Sequence, residues 1–274
     1  MRAGSPLTAV ERLAGQRDGA AALGAVRSRL GLVALLFGLA AVAWWSTADR
    51  MAGMDGGPGT DLGTLGWFLG VWVVMMAAMM LPSVAPTVAL YARVIRRSSP
   101  AAPLLFAAGY LASWAAAGLV AYGALELGGA VLGDQLAWDD AGRWVAGGTL
   151  IVAAVYELTA VKGVCLSRCR NPLGSWRQGP RSAAAVGARH GGWCVGCCWA
   201  LMASLFALGV MSLASMAFVA GLIALQKTLP WGRAGTYGTA LVLLVLGVVL
   251  IAAPDAVPGL TVPGGGGGMG GMAK

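Results

Sequence analysis

The sequence contains a series of apolar runs, each long enough to cross a lipid bilayer as an α-helix. The hydrocarbon core of a bilayer is about 30 Å thick, and roughly 20 helical residues cross it. The run over residues 30–47 has about this length and ends near Trp44 and Trp45, which suit the membrane interface. Only 11% of the residues are charged, against roughly a quarter in an ordinary soluble domain. We therefore predict an integral membrane protein in contact with membrane lipid, and we exclude soluble enzyme folds.

We predict an all-α fold, a polytopic transmembrane helical bundle with about seven spans. After the first run, further spans are expected at residues 65–93, 103–125, 143–160 and 234–253. The stretch 193–225 would be about 50 Å long as one straight helix, which exceeds the membrane thickness. We interpret it as two spans joined by a turn near 209–215. If it is instead one long tilted helix, the number of spans falls to about six.

The segments outside the apolar runs divide the chain into three regions. Residues 1–29 form a basic tail, residues 30–253 form a transmembrane helical domain with a polar Cys/His loop at 161–192, and residues 254–274 form a flexible tail rich in Gly and Met. Basic loops stay in the cytoplasm, which places the tail 1–29 and the loop 161–192 on that side. The net charge of +8 is what such loops produce, and it does not indicate nucleic-acid binding.

The cysteines predict a metal site, because all five lie between Cys165 and Cys198 together with the only histidine of the chain. Packing alone gives no reason to gather thiols around a single imidazole. Four candidate ligands recur at every fourth position, which places them along one face of a helix: His190, Cys194, Cys198 and Met202. Further ligands are expected from the preceding loop and a neighbouring face: Cys165, Cys169 and Cys197. Soft sulfur ligands favour Cu(I), and a Cys/His set also suits Zn(II).

The second span carries a further sulfur-rich surface. Four methionines cover an arc of about 140° on the predicted helix, and they are Met75, Met76, Met79 and Met80. Methionine is also a flexible core filler, so packing is the alternative explanation. Pro82 removes the helical donor of the Ala78 carbonyl, which at membrane depth must be satisfied by protein, water or an ion. The four methionines and the Cys/His site are both sets of soft ligands. Together they predict that Cu(I) contacts a Met-lined face inside the membrane.

Two rival functions use the same cysteines. Cys194 and Cys197 form a C-x-x-C sequence at an expected helix start, which suits a thiol redox membrane enzyme. The cytoplasmic side keeps most thiols reduced, which weighs against a structural disulfide. The other rival is a non-catalytic membrane assembly subunit with cysteines at an interface. We favour a protein that handles Cu(I) and is not an enzyme, with a metal ion and a membrane or periplasmic protein as partners.

Glu157 is an acidic residue near the inner end of the fourth expected span. It lies five residues before Lys162 in the sequence. Pairing between the two side chains or snorkelling to the interface is the simplest explanation for a charge at this depth. The alternative is a proton or metal site at Glu157.

Several of these motifs together resemble a known bacterial family. The resemblance rests on three segments: Tyr156-Glu-Leu-Thr-Ala-Val-Lys-Gly-Val-Cys165, the His190-Gly-x2-Cys-x2-Cys-Cys-Trp199 element, and Met75-Met-Ala-Ala-Met-Met-Leu-Pro-Ser83. They resemble the predicted metal-binding integral membrane proteins, also called domain of unknown function 2182, over about residues 67–227. The resemblance implies metal binding in a multi-pass protein of the bacterial inner (cytoplasmic) membrane. The chain departs from the family pattern at Glu157, Ala160 and Gln226, where the family has Gln, Pro and Glu.

Overall fold

The computed structural model describes residues 30–49, 63–94, 101–132, 143–173, 182–208, 213–228 and 233–253. Within these ranges it forms eight α-helices and no strand, which confirms the all-α prediction. The helices are α1 Leu30–Asp49, α2 Leu65–Val94, α3 Ala102–Leu132, α4 Arg143–Glu157, α5 Ala160–Arg170, α6 Ala183–Leu208, α7 Leu213–Thr228 and α8 Arg233–Ala252. The predicted tails, 1–29 and 254–274, lie outside the described residues.

Four helices are long and apolar enough to cross a membrane. They contain the segments Leu30–Asp49, Leu65–Arg93, Ala102–Val131 and Ala234–Ala252. Helices α4 and α5 meet at a bend of 68° and make a fifth candidate if they are counted together. Helix α7 is apolar but shorter, with 16 residues. The described part of the chain therefore contains four or five candidate spans, and the expectation of about seven is not confirmed.

The long apolar stretch 193–225 falls on two helices. Helix α6 ends at Leu208 and α7 begins at Leu213. This division agrees with two helical segments, while the interpretation that each of them crosses the membrane stays a prediction. The connecting residues 209–212 lie outside the described ranges.

Much of the segment expected to be a polar loop, 161–192, is helical. Helix α5 begins after Thr159, whose side-chain oxygen accepts a hydrogen bond from the Lys162 backbone N–H at 3.3 Å. Such an N-cap satisfies one of the donors that a helix start leaves free. Helix α6 then begins at Ala183 and not near Cys194. Helix α5 was not predicted from the sequence, because its segment is polar and basic and contains no long apolar run.

Helix α6 lies at the centre of the bundle and packs against α3, α4, α5 and α7. Its contact with α3 depends on small residues. A Cβ atom at Gly187 would overlap the Phe106 carbonyl, and one at Gly109 would overlap the Ala184 carbonyl. Glycines at such positions let two helix backbones approach closely. This approach brings the cysteine-bearing part of α6 against the aromatic side chains of α3.

The proline-containing helix α2 is held by α1. Pro82 and Pro86 both lie inside α2. The Ala78 carbonyl, which has no helical donor because of Pro82, accepts a hydrogen bond from the Trp44 indole Nε1 at 3.1 Å. The protein itself therefore satisfies this carbonyl, and neither water nor an ion is required there.

Candidate metal centre

Three thiols from two helices meet in the interior of the bundle. The Sγ atoms of Cys169, Cys194 and Cys197 all lie within 4.8 Å of one another. All three residues are buried, with exposed fractions of 7%, 0% and 1%. Cys194 and Cys197 are neighbours on α6 because residues three apart share a helix face, and α5 packs beside α6 to bring in Cys169. We call these three residues the thiol cluster.

The predicted stripe on α6 is buried along its length, but only one of its members joins the thiol cluster. His190, Cys194, Cys198 and Met202 all lie on α6 with exposed fractions of 4% or less. His190 lies beside two aromatic rings of α3, with centroid distances of 5.8 Å to Phe106 and 6.1 Å to Tyr110. Residues four apart on a helix are separated by about 6 Å along its axis, so a full stripe spreads too far to share one ion.

Cys198 lies next to the thiol cluster without completing it. Its Sγ is 3.3 Å from the Cys197 Sγ. It is not among the three thiols whose sulfur atoms all lie within 4.8 Å of one another. Its place in the ligand set therefore stays a prediction.

Cys165 points to a different part of α6 from Cys169. A Cβ atom added at Gly196 would lie 2.8 Å from the Cys165 Sγ. Cys165 therefore packs against the backbone of α6, one helical turn from Cys169 on α5. The two thiols are equally buried, with 7% exposed each, but the structure brings only Cys169 into the cluster.

Two residues that the sequence analysis missed contact the Cys194 sulfur. Lys227 of α7 donates a hydrogen bond from Nζ to the Cys194 Sγ at 3.0 Å. The Tyr110 hydroxyl of α3 lies 3.0 Å from the same sulfur. An ammonium group at this distance favours the thiolate form of a cysteine, which is the form that binds metal. No sequence motif marks either residue as part of the site. Lys227 follows an apolar run, as an ordinary interfacial cation would.

A buried ion pair lies beside the thiol cluster. Lys162 Nζ is 2.6 Å from Glu157 Oε1, and both side chains are 0% exposed. Lys162 also donates to the carbonyl oxygen of Cys197. Gln226 Nε2 donates to Glu157 Oε2 at 2.8 Å. The predicted pairing of Glu157 with Lys162 is confirmed, and two of the departures from the family pattern, Glu157 and Gln226, are hydrogen-bonded to each other.

The methionines of α2 are all in the interior. Their exposed fractions are 4% or less for Met75, Met76, Met79 and Met80. Met80 is linked to the thiol cluster through Lys227, because its Sδ lies 3.9 Å from the Lys227 Nζ that contacts Cys194. Met202 of α6 is also buried, with 3% exposed. We call the four α2 residues the methionine face.

The C-x-x-C sequence does not lie at a helix start. Helix α6 begins at Ala183, several turns before Cys194 and Cys197. The helix dipole acts within about the first turn, so it cannot activate either thiol here. The expectation of a helix start at Cys194 is therefore wrong, and the charge beside this thiol comes from Lys227 instead.

Comparison with known proteins identifies one family. Residues 69–250 match the family model named PpoB2 and described as a copper chaperone. The match extends over most of the chain and includes all five cysteines. No curated protein and no solved structure matches the chain. The expectation of a copper-related protein is confirmed, while the name of the resembling family and its membrane placement stay predictions.

Proposed function

Because this chain belongs to the PpoB2 copper chaperone family, we propose that it binds Cu(I) through Cys169, Cys194 and Cys197. The observation that carries the proposal is the meeting of three buried Sγ atoms within 4.8 Å of one another. Thiolates are soft ligands and favour Cu(I). Structural zinc sites almost always have four protein ligands, so a group of three thiols is one ligand short for Zn(II).

The further candidate ligands have a secondary place in this proposal. Cys198 and His190 lie near the cluster on α6, and Cys165 lies one turn from Cys169 on α5. We propose that these residues pack around the copper site and that the thiol cluster supplies its first ligands. The support is geometric, because Cys165 faces Gly196 and His190 faces the rings of α3.

We propose that the protein works within the bacterial inner (cytoplasmic) membrane as a multi-pass protein. The support is the outward face of its apolar helices. Trp45 of α1, Val120 of α3 and Leu241 of α8 are 78%, 74% and 62% exposed. Large apolar surfaces of this kind require lipid or a protein partner. The basic residues at the end of α5, Arg168 and Arg170, favour a cytoplasmic position for the thiol cluster.

We propose further that the methionine face and Met202 offer thioether ligands along which Cu(I) enters or leaves the thiol cluster. Thioethers bind Cu(I) without adding charge to the protein interior. The support is the proximity of the two sulfur atoms, because the Met80 Sδ and the Cys194 Sγ lie 3.9 Å and 3.0 Å from one atom, the Lys227 Nζ. The receiving partner is then a membrane or periplasmic protein.

The test is the metal content of the full chain purified in detergent without chelator from cells grown with added copper. We expect about one copper ion per chain, and little zinc, because soft ligands select Cu(I). Cys194→Ser should lose most of this copper. Zinc in place of copper would contradict the choice of metal. A copper-free protein with a disulfide between Cys194 and Cys197, detected by differential alkylation, would favour the thiol redox enzyme. A metal-free protein with all thiols reduced would favour an assembly subunit.

A further inference from the structure

The ammonium group of Lys227 lies between two sulfur-bearing helices. Its Nζ is 3.0 Å from the Cys194 Sγ of α6 and 3.9 Å from the Met80 Sδ of α2. The Ser83 hydroxyl of α2 accepts a hydrogen bond from the same Nζ at 3.1 Å. Cys194 and Met80 are both 0% exposed. One protein cation is therefore in contact with both the thiol cluster and the end of the methionine face.

A copper ion bound between Cys194 and Met80 would need the space that this ammonium fills. Metal–thiolate bonds are short, at about 2.3 Å for zinc. An ion on this side of the Cys194 sulfur would therefore lie almost in contact with Nζ. Two positive charges so close together repel strongly in a protein interior, where the effective dielectric constant is low. Cys169 and Cys197 offer the other two sulfur atoms of the cluster, all three within 4.8 Å of one another.

We propose that Lys227 is a gate for monovalent metal, which keeps Cu(I) at the thiol cluster and admits it to the methionine face only when the side chain moves away. The inference rests on the proposed binding of copper by the cluster. It goes further because it assigns the step between two groups of sulfur ligands to one residue. Lys227 is in this scheme a positioning residue for the ion and not one of its ligands.

The position of Lys227 in the fold allows such a movement. The residue lies in the last turn of α7, which ends at Thr228, and it is partly exposed. Lysine has a flexible four-carbon stem, so its ammonium can swing without a shift of the backbone. The Ser83 hydroxyl that holds the ammonium is itself fixed within α2, because it donates a hydrogen bond to the Met80 carbonyl at 2.9 Å. A swing of the side chain would separate the ammonium from Ser83, Cys194 and Met80, its three described hydrogen-bond contacts.

The experiment follows Met80 directly in the full chain in detergent. Methionine is labelled with ¹³C in its methyl group, and the Met80 signal is assigned with Met80→Leu. Cu(I) is added to one equivalent, and binding by the cluster is measured in the same samples by competition with a chromophoric chelator. Lys227→Gln removes the charge, while Lys227→Arg keeps it. We expect the displaced fraction of the Met80 signal to rise about threefold or more in Lys227→Gln, because the repelling charge is gone, and to stay near the wild-type value in Lys227→Arg.

A second variant keeps the test decisive if Lys227→Gln does not fold. Ser83→Ala keeps the charge but removes one anchor of the ammonium, so the Met80 signal should respond more than in the wild type. Equal Met80 responses in all folded variants with normal copper binding would overturn the gate alone. Absence of copper binding by the wild-type cluster would instead overturn the proposed function, and the gate with it.

Discussion

The buried ion pair beside the thiol cluster leads to a quantitative prediction. Glu157→Gln removes the charge that neutralises Lys162, and both side chains are 0% exposed. Breaking a buried pair from one side costs about 3–5 kcal/mol, because the remaining charge stays buried without compensation. For a domain of this size, each kcal/mol lowers the melting temperature by about 2–4 °C. We therefore expect a fall of roughly 6–20 °C in thermal unfolding followed in detergent.

The same change should weaken the copper site. Lys162 lies on α5, the helix that carries Cys169, and donates to the carbonyl of Cys197. A loss of only 1.4 kcal/mol in the placement of these two thiols lowers affinity about tenfold. We expect Glu157→Gln to lose about that factor in Cu(I) affinity, measured by chelator competition. Glu126→Gln is the matched control, because Glu126 is an exposed residue of α3.

An exchange of the two partners tests whether a carboxylate at residue 226 can replace the one at Glu157. In Glu157→Gln combined with Gln226→Glu, an amide and a carboxylate again face each other across the 2.8 Å contact. The negative charge remains within the same buried group. The double variant should recover a large part of the lost melting temperature. A melting temperature for Glu157→Gln equal to that of Glu126→Gln would refute the reasoning, because it would show that the buried pair does not stabilise the fold.

Two further sets of substitutions test the packing and the methionine face. Gly187→Ala should destabilise by about 1–3 kcal/mol, because its Cβ overlaps the Phe106 carbonyl, whereas Gly192→Ala, with nothing within 4 Å of its Cβ, should not lower the melting temperature. Replacing the whole methionine face by Leu roughly conserves volume, so the protein should fold and retain copper at the cluster while copper tolerance falls in cells with equal expression. Unchanged copper tolerance would contradict the methionine path and would reduce the role of the methionine face to packing.

The sequence predicted the helical elements where the apolar runs were long. The length of 193–225 predicted a division into two spans, and the structure does end one helix at Leu208 and begin the next at Leu213, although their crossing of the membrane stays a prediction. The four-residue spacing from His190 to Met202 correctly indicated one helix. These features are local, because a run length or a helical repeat is visible within a single segment.

The composition of the thiol cluster was not predictable in the same way. Cys165 and Cys169 lie four residues apart, about one helical turn. Which of the two joins the thiol cluster depends on the rotation of α5 about its axis relative to α6. The bend of 68° between α4 and α5 sets the direction in which α5 leaves α4, and no apolar run marks it. Lys227 and Tyr110 reach Cys194 from distant parts of the chain. Tertiary packing alone identifies such contacts.

The most direct measurement compares the Cu(I) affinity of two single variants on the same helix. Cys169→Ser and Cys165→Ser make the same chemical change one turn apart on α5, at residues that are both 7% exposed. The three-thiol centre predicts that Cys169→Ser lowers the affinity about tenfold or more, since a soft ligand is lost, and that Cys165→Ser stays close to the wild type. Equal losses in both variants, or a loss only in Cys165→Ser, would contradict a copper site formed by Cys169, Cys194 and Cys197.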